Sequence, residues 1–202
     1  MLFTSKEIRE LLAAWLALSL MFSLSFAPLR YLGFAYSLLM VGTAFVLHEL
    51  SHKFVAQHYG RAAEFRIWWS GVALGMMMAL ATFLAFGPGG VIFFAAPGAV
   101  YVSPLFVGYA SPLNLRGFAR GEGLISYAGP FTNLILGVFF RVLAHFAYGG
   151  LGYVFAKTSS INVFLGFFNI LPIPPLDGQK VFAWSKPVWG ISALVLLALL
   201  VM

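Results

Sequence analysis

From Leu11 to Leu29 the chain carries no charged side chain. A helix needs about 20 apolar residues, rising 1.5 Å each, to cross the hydrocarbon core of a bilayer. Long apolar stretches recur at about Tyr31 to Tyr59, Leu124 to Tyr148 and Val188 to Met202. Charged residues make up only 9% of the 202-residue chain, whereas a soluble domain has about 25%. So few charges cannot cover a water-facing surface, so lipid must surround most of the chain. An unusually greasy soluble core does not account for runs of this length.

The polar residues that remain are informative because they are rare. Cysteine is absent, which excludes disulfides and thiolate metal ligands. The net charge of +6 fits cytoplasmic loops and lipid headgroup contact. No basic patch interleaved with aromatic residues is present, so nucleic acid is not an expected partner. The acids are Glu7, Glu10, Glu49, Glu64, Glu122 and Asp177, and each one inside an apolar segment needs its own explanation.

The first run, behind Lys6 and Arg9, partly resembles a signal peptide. Pro28 after the Ser25-Phe26-Ala27 triplet and the acids Glu7 and Glu10 argue against cleavage, so a retained first helix is expected. The second run ends at Gly60, a plausible helix C-cap. Ala63 to Trp68 alternates in character and predicts a short strand. Val72 to Phe86 predicts a helix, either crossing or re-entrant, broken at Gly87-Pro88-Gly89-Gly90. The Val, Phe and Tyr content of Val91 to Val107 suits strands. A span over Leu124 to Tyr148, an apolar segment over Ser159 to Leu171 and a last helix over Val188 to Met202 complete the chain. The expected fold is a polytopic α-helical membrane protein. It has about six transmembrane segments, with a small membrane-associated β element between the second span and the span carrying Gly129-Pro130. Residues 1–202 read as one integral-membrane domain.

Basic residues suggest an orientation. With the N-terminus in the cytoplasm, Lys6, Arg9, Lys53, Arg61, Arg66, Arg116, Arg120, Lys180 and Lys186 lie inside or near the inner face; Arg30, Arg141 and Lys157 lie outward. Nine against three follows the positive-inside rule. It requires an even number of crossings, or none, between Arg66 and Arg116.

His48-Glu49-Leu50-Ser51-His52 is the motif that carries chemistry. Histidines four apart on a helix share a face and can reach one metal. Zinc bound there lowers the pKa of water to about 7 and polarises a scissile carbonyl, and Glu49 can accept the proton as general base. The bland alternative, a polar helix end satisfied by water and headgroups, leaves two histidines and an acid beside lipid without a function. An open catalytic site needs a third protein ligand. Asp177 is the best candidate: Pro172, Pro174 and Pro175 break the preceding helix, and Gly178 permits tight backbone beside it. A solvated aspartate in a helix-ending turn is the competing reading, and Glu64 and Glu122 are rival ligands. His58 reads as solvated, His145 as structural, and Arg141 as snorkelling outward.

Together with the histidine motif, Asn169-x-x-Pro172-x-x-x-Leu176-Asp177-Gly178 and Gly129-Pro130-Phe131-Thr132-Asn133 resemble the site-2 protease family of intramembrane metalloproteases. Matching elements run from about residue 31 to 186. The resemblance implies one zinc per chain bound by His48, His52 and Asp177, with Glu49 as base. It implies three core helices carrying the three motifs, and strands, matching Ala63 to Trp68 and Phe93 to Val102, that hold an unwound substrate. It also implies that Asn169 and Asn133 bind substrate or shape the site; an interhelical hydrogen bond is the other reading of either amide. Within these 202 residues no appended peptide-binding or regulatory domain is expected.

The expected function is thus intramembrane zinc endopeptidase, cutting transmembrane segments of other membrane proteins from a site nearer the cytoplasmic side. Two alternatives use the same residues: a metal-ion or proton transporter, and an inactive relative that binds membrane helices. Transport predicts polar residues spread through several spans, whereas here they cluster near one depth. Inactivity is disfavoured by the presence of the base and every proposed ligand.

Overall fold

A computed structural model describes residues 3–26, 30–92, 97–103 and 115–202, with the backbone alone for 30–31 and 115–119. The chain is mostly helical, and it divides into two compact units, residues 1–46 with 64–101 and residues 47–63 with 102–202. Among the described residues, five helical segments are long and apolar enough to cross a membrane: Ser5–Phe26, Leu32–His58, Trp69–Phe86, Arg120–Phe146 and Gly149–Ile170. A sixth apolar helix, Lys186–Val201, is shorter.

In the first unit, helix α1 (Ser5–Ser23) begins at Thr4, whose hydroxyl accepts the Glu7 N–H as an N-cap. It packs on α2 (Arg30–Val41). Trp15 donates from its indole to the Leu38 carbonyl at 3.0 Å. Five residues of π-helix, Gly42–Val46, follow α2. Gly42 has no Cβ where the Trp15 indole nitrogen would stand 3.3 Å away.

Strand β1 (Ala62–Ile67) pairs with β2 (Gly98–Ser103) in a two-stranded sheet. The expected strand at Ala63 to Trp68 is therefore present; of Phe93 to Val102, residues 93–96 lie outside the described residues. Between the strands, α4 (Trp69–Phe86) is one uninterrupted helix of 18 residues, about 27 Å long. Gly87, at φ 73, ends it. The chain is back beside its starting point by Pro97, whose carbonyl accepts the Trp68 N–H at 2.7 Å.

In the second unit, α3 (Leu47–His58) carries the histidine motif. It stops in a Schellman turn: Gly60, at φ 71, donates to Gln57 and Arg61 donates to Ala56. Lys53 is buried and donates to the Ala63 carbonyl at 2.9 Å, tying the start of β1 to α3. Helices α5 (Leu115–Phe146) and α6 (Gly149–Ile170) pack along their length. Helix α6 begins ten residues before the expected Ser159 because Gly149, at φ 62, turns the chain directly from one helix into the next. Small residues let the pair approach: a Cβ on Gly137 would stand 2.6 Å from Val163.

The short α7 (Asp177–Trp184) and α8 (Lys186–Val201) complete this unit. Val163, Ile170, Val181 and Leu196 form a buried cluster joining α6, α7 and α8. Trp189 donates to the Ile170 carbonyl at 2.8 Å, and Tyr127 and Ser192 share a hydrogen bond at 2.8 Å. Arg141 donates to the Leu199 carbonyl at 2.7 Å. The guanidinium thus finds a partner within the protein, near the end of α8.

Candidate metal centre

The site is built from three helices of the second unit. α3 places His48 and His52 one turn apart, with both side chains buried. Their Nε2 atoms lie 3.0 Å from each other. Asp177, the first residue of α7, puts Oδ2 at 3.3 Å from His48 Nε2 and 3.1 Å from His52 Nε2. These three side chains form a group that could hold a metal ion. Donors held about 2.0–2.1 Å from a tetrahedral zinc stand roughly 3.3 Å apart, so the observed spacing matches the size of the ion.

The surrounding bonds aim the same atoms. His48 Nδ1 faces Asn133 Oδ1 at 2.5 Å, and His52 Nδ1 faces the Ile125 carbonyl at 2.7 Å. Both partners are acceptors, so each Nδ1 carries the hydrogen and each Nε2 keeps its lone pair for a metal. Asp177 turns a carboxylate oxygen to the same place, a donor type that zinc accepts.

Backbone makes room for the cluster. A Cβ on Gly129, in α5, would stand 2.3 Å from His52 Nε2 and 2.5 Å from His48 Nε2. A Cβ on Gly178 would stand 2.0 Å from the Ile170 carbonyl oxygen, so glycine lets α7 begin against the end of α6. Donor type, spacing, tautomer and space all fit zinc.

The remaining candidates separate cleanly. Glu49 is buried beside His48 but is not one of the three clustered donors. Asn133 is fully buried and touches the centre through His48. Asn169 donates to the Leu165 carbonyl of its own helix at 3.0 Å. The rival ligands have other partners. Glu64 pairs with Arg66 and accepts from Thr4, and Glu122 pairs with Arg61 and Lys180. His58 is exposed, its ring edge-on to Tyr59.

Sequence reasoning missed Asn162, which accepts from Asn133 Nδ2 at 3.1 Å; an amide inside an apolar span was the available signal. It also missed the Ile125 carbonyl, for which no sequence signal exists because every residue has one.

Helices of membrane length and a group of two buried imidazoles and one part-buried carboxylate define a helical protein of membrane type with a candidate metal site. "Putative zinc metalloprotease MJ0611" of Methanocaldococcus jannaschii is 39% identical over 197 residues, covering 96% of this chain and 93% of that protein. "Putative zinc metalloprotease YwhC" of Bacillus subtilis is 31% identical over 161 residues, covering 72% and 67%. The chain belongs to this family of zinc metalloproteases. No family model matches it, and no solved structure gives a significant match.

Proposed function

We propose that the chain is an intramembrane zinc endopeptidase of the site-2 protease kind, hydrolysing peptide bonds within transmembrane segments of membrane-protein substrates. One observation carries this reading: two of the three clustered donors sit buried on Leu32–His58, a helix long and apolar enough to cross a bilayer. A metal centre at that place meets substrates that are themselves in the membrane. The positive-inside bias puts the N-terminus in the cytoplasm and the site nearer that side.

His48, His52 and Asp177 would hold one zinc. When bound, the ion supplies Lewis acidity toward a carbonyl oxygen and toward water. Glu49, next to His48 and buried, takes a proton from the water whose oxygen attacks the scissile carbonyl carbon. As the C–N bond breaks, Glu49 returns that proton to the leaving nitrogen. Asn133 holds the His48 ring. Asn169, near the end of α6, is placed to exchange its helix bond for one to an unwound substrate backbone. A helical substrate hides its peptide bonds, and a strand edge such as that of β2 would hold an unwound segment extended.

The test uses the full chain purified with lipid or detergent. Wild type should bind one zinc and cleave a membrane-spanning test substrate. Glu49→Gln should keep zinc within about threefold in affinity and lose cleavage by at least ~1000-fold. His48→Ala should lose both. Full cleavage by Glu49→Gln would sink the mechanism, and full zinc occupancy in Asp177→Ala would remove Asp177 from the ligands.

A further inference from the structure

The His48 ring depends on a partner whose own orientation is not fixed by shape. The two ends of the Asn133 amide are the same size. One end, Oδ1, accepts from His48 Nδ1; turned over, Nδ2 would oppose the Nδ1–H, donor against donor, and favour the wrong tautomer. Something beyond Asn133 has to decide which end faces the histidine.

The next contact in the chain of bonds supplies the answer. Asn133 Nδ2 donates to Asn162 Oδ1 at 3.1 Å, from α5 to α6. Asn162 is an amide too, and could also face either way. Its Nδ2 donates to the Thr158 carbonyl, one turn earlier in α6, at 2.9 Å. A backbone carbonyl can only accept. It fixes Asn162, which fixes Asn133, which fixes the hydrogen on His48 Nδ1 and leaves Nε2 with its lone pair. His48 is 3% exposed and both asparagines are 0% exposed, so bulk water does not compete for these groups. Gly166, one turn after Asn162, brings α6 close: a Cβ there would lie 3.1 Å from Asn133 Cβ.

We infer that Asn162 is a positioning residue for the metal centre, setting the tautomer and aim of His48 through Asn133. The inference rests on the reading of His48 as a zinc ligand and extends that centre to a residue on α6 that touches neither metal nor substrate. The competing account makes Asn162 an ordinary interhelical hydrogen bond, whose loss weakens packing and nothing else. Ser159 provides the comparison. It is buried on the same helix and donates to the Gly137 carbonyl of α5 at 2.7 Å, with no bond toward the histidines.

The experiment measures zinc affinity of the purified full chain by competition with a chromogenic chelator, together with thermal unfolding. Partners behind metal-bound histidines typically contribute 10–100-fold in metal affinity. Asn162→Leu, close in size and without polar atoms, is expected to bind zinc about tenfold more weakly. Asn162→Asp should stay within about threefold of wild type, because a protonated carboxyl accepts from Asn133 and donates to Thr158 in the same geometry. Ser159→Ala should leave affinity unchanged, whatever it does to unfolding. If Asn162→Leu does not fold, Asn162→Ser replaces it, since serine keeps a polar group but cannot reach Asn133.

Wild-type affinity in Asn162→Leu, or in Asn162→Ser where it replaces it, overturns the inference. So does equal weakening by Ser159→Ala, or an Asn162→Asp as weak as the leucine variant. Zinc retained by His48→Ala, or absent from wild type, overturns the metal reading instead, so the two failures are distinct.

Discussion

The two units bury polar side chains to different ends. In the first, Glu7 is 1% exposed and accepts the Phe65 N–H at 3.0 Å; Glu10, one turn later, accepts the Ile67 N–H at 3.1 Å. Two carboxylates of α1 thus satisfy successive N–H groups on one edge of β1. Both bonds run from side chain to backbone, and they hold a strand in place. In the second unit His48, His52, Asn133 and Asn162 are buried to a similar degree. Their bonds instead leave two nitrogen lone pairs and one carboxylate oxygen pointing at a common place. Burial of a polar group is therefore no sign of function by itself. Convergence of unshared lone pairs on one point is the feature that separates a site from a strut.

The sharpest test of that distinction removes space and no donor. Gly129→Ala adds one methyl group, 2.3 Å from His52 Nε2 and 2.5 Å from His48 Nε2. Alanine favours a helix by up to about 1 kcal/mol over glycine, so the fold should hold. Zinc affinity should fall at least ~100-fold as the imidazoles are pushed off their common point. Chelator competition and circular dichroism on the same sample would show this. Zinc retained at wild-type affinity would mean the convergence is not what binds metal.

Much of the metal centre was legible in the sequence because its parts are local or rare. His48 and His52 are related by helical spacing alone, and Asp177 is the chain's only aspartate. The residues that were not legible act through geometry set by folding. Asn133 was read through its motif, but Asn162 was not, and the two meet only because glycines let α5 and α6 approach; Ile125 contributes an atom that every residue has. The strand at β1 could be read from its alternation. The straight run of α4 could not be decided, since a short apolar segment suits a crossing or a re-entrant helix equally. Glu7 and Glu10 read as spoilers of a signal sequence, and their bonds to β1 need the folded chain.

A smaller effect should follow from Glu7→Leu. It leaves the buried Phe65 N–H without the carboxylate that accepts it, which costs about 1–3 kcal/mol. Denaturant unfolding in detergent should register this loss. If burial and convergence are separate, zinc affinity should remain within about threefold of wild type. A hundredfold loss of zinc in a folded Glu7→Leu protein would break the separation between strut and site.

The smallest effect is expected where polar groups meet closer to the surface. Glu122, 29% exposed, pairs with Arg61 and with Lys180, which lies on α7 one turn after Asp177. Its position near the helix that begins with Asp177 would suggest a strong influence. Solvent around Lys180, 58% exposed, screens that pair, and such bridges contribute about 1 kcal/mol or less. Lys180→Gln should therefore lower stability by no more than about 1 kcal/mol, with the difference shrinking as salt is raised, and should not alter zinc affinity. Stability measured at low and high ionic strength decides it. A loss of several kcal/mol that salt leaves unchanged would place the pair of Glu122 and Lys180 with the buried struts of α1 rather than with the surface charges.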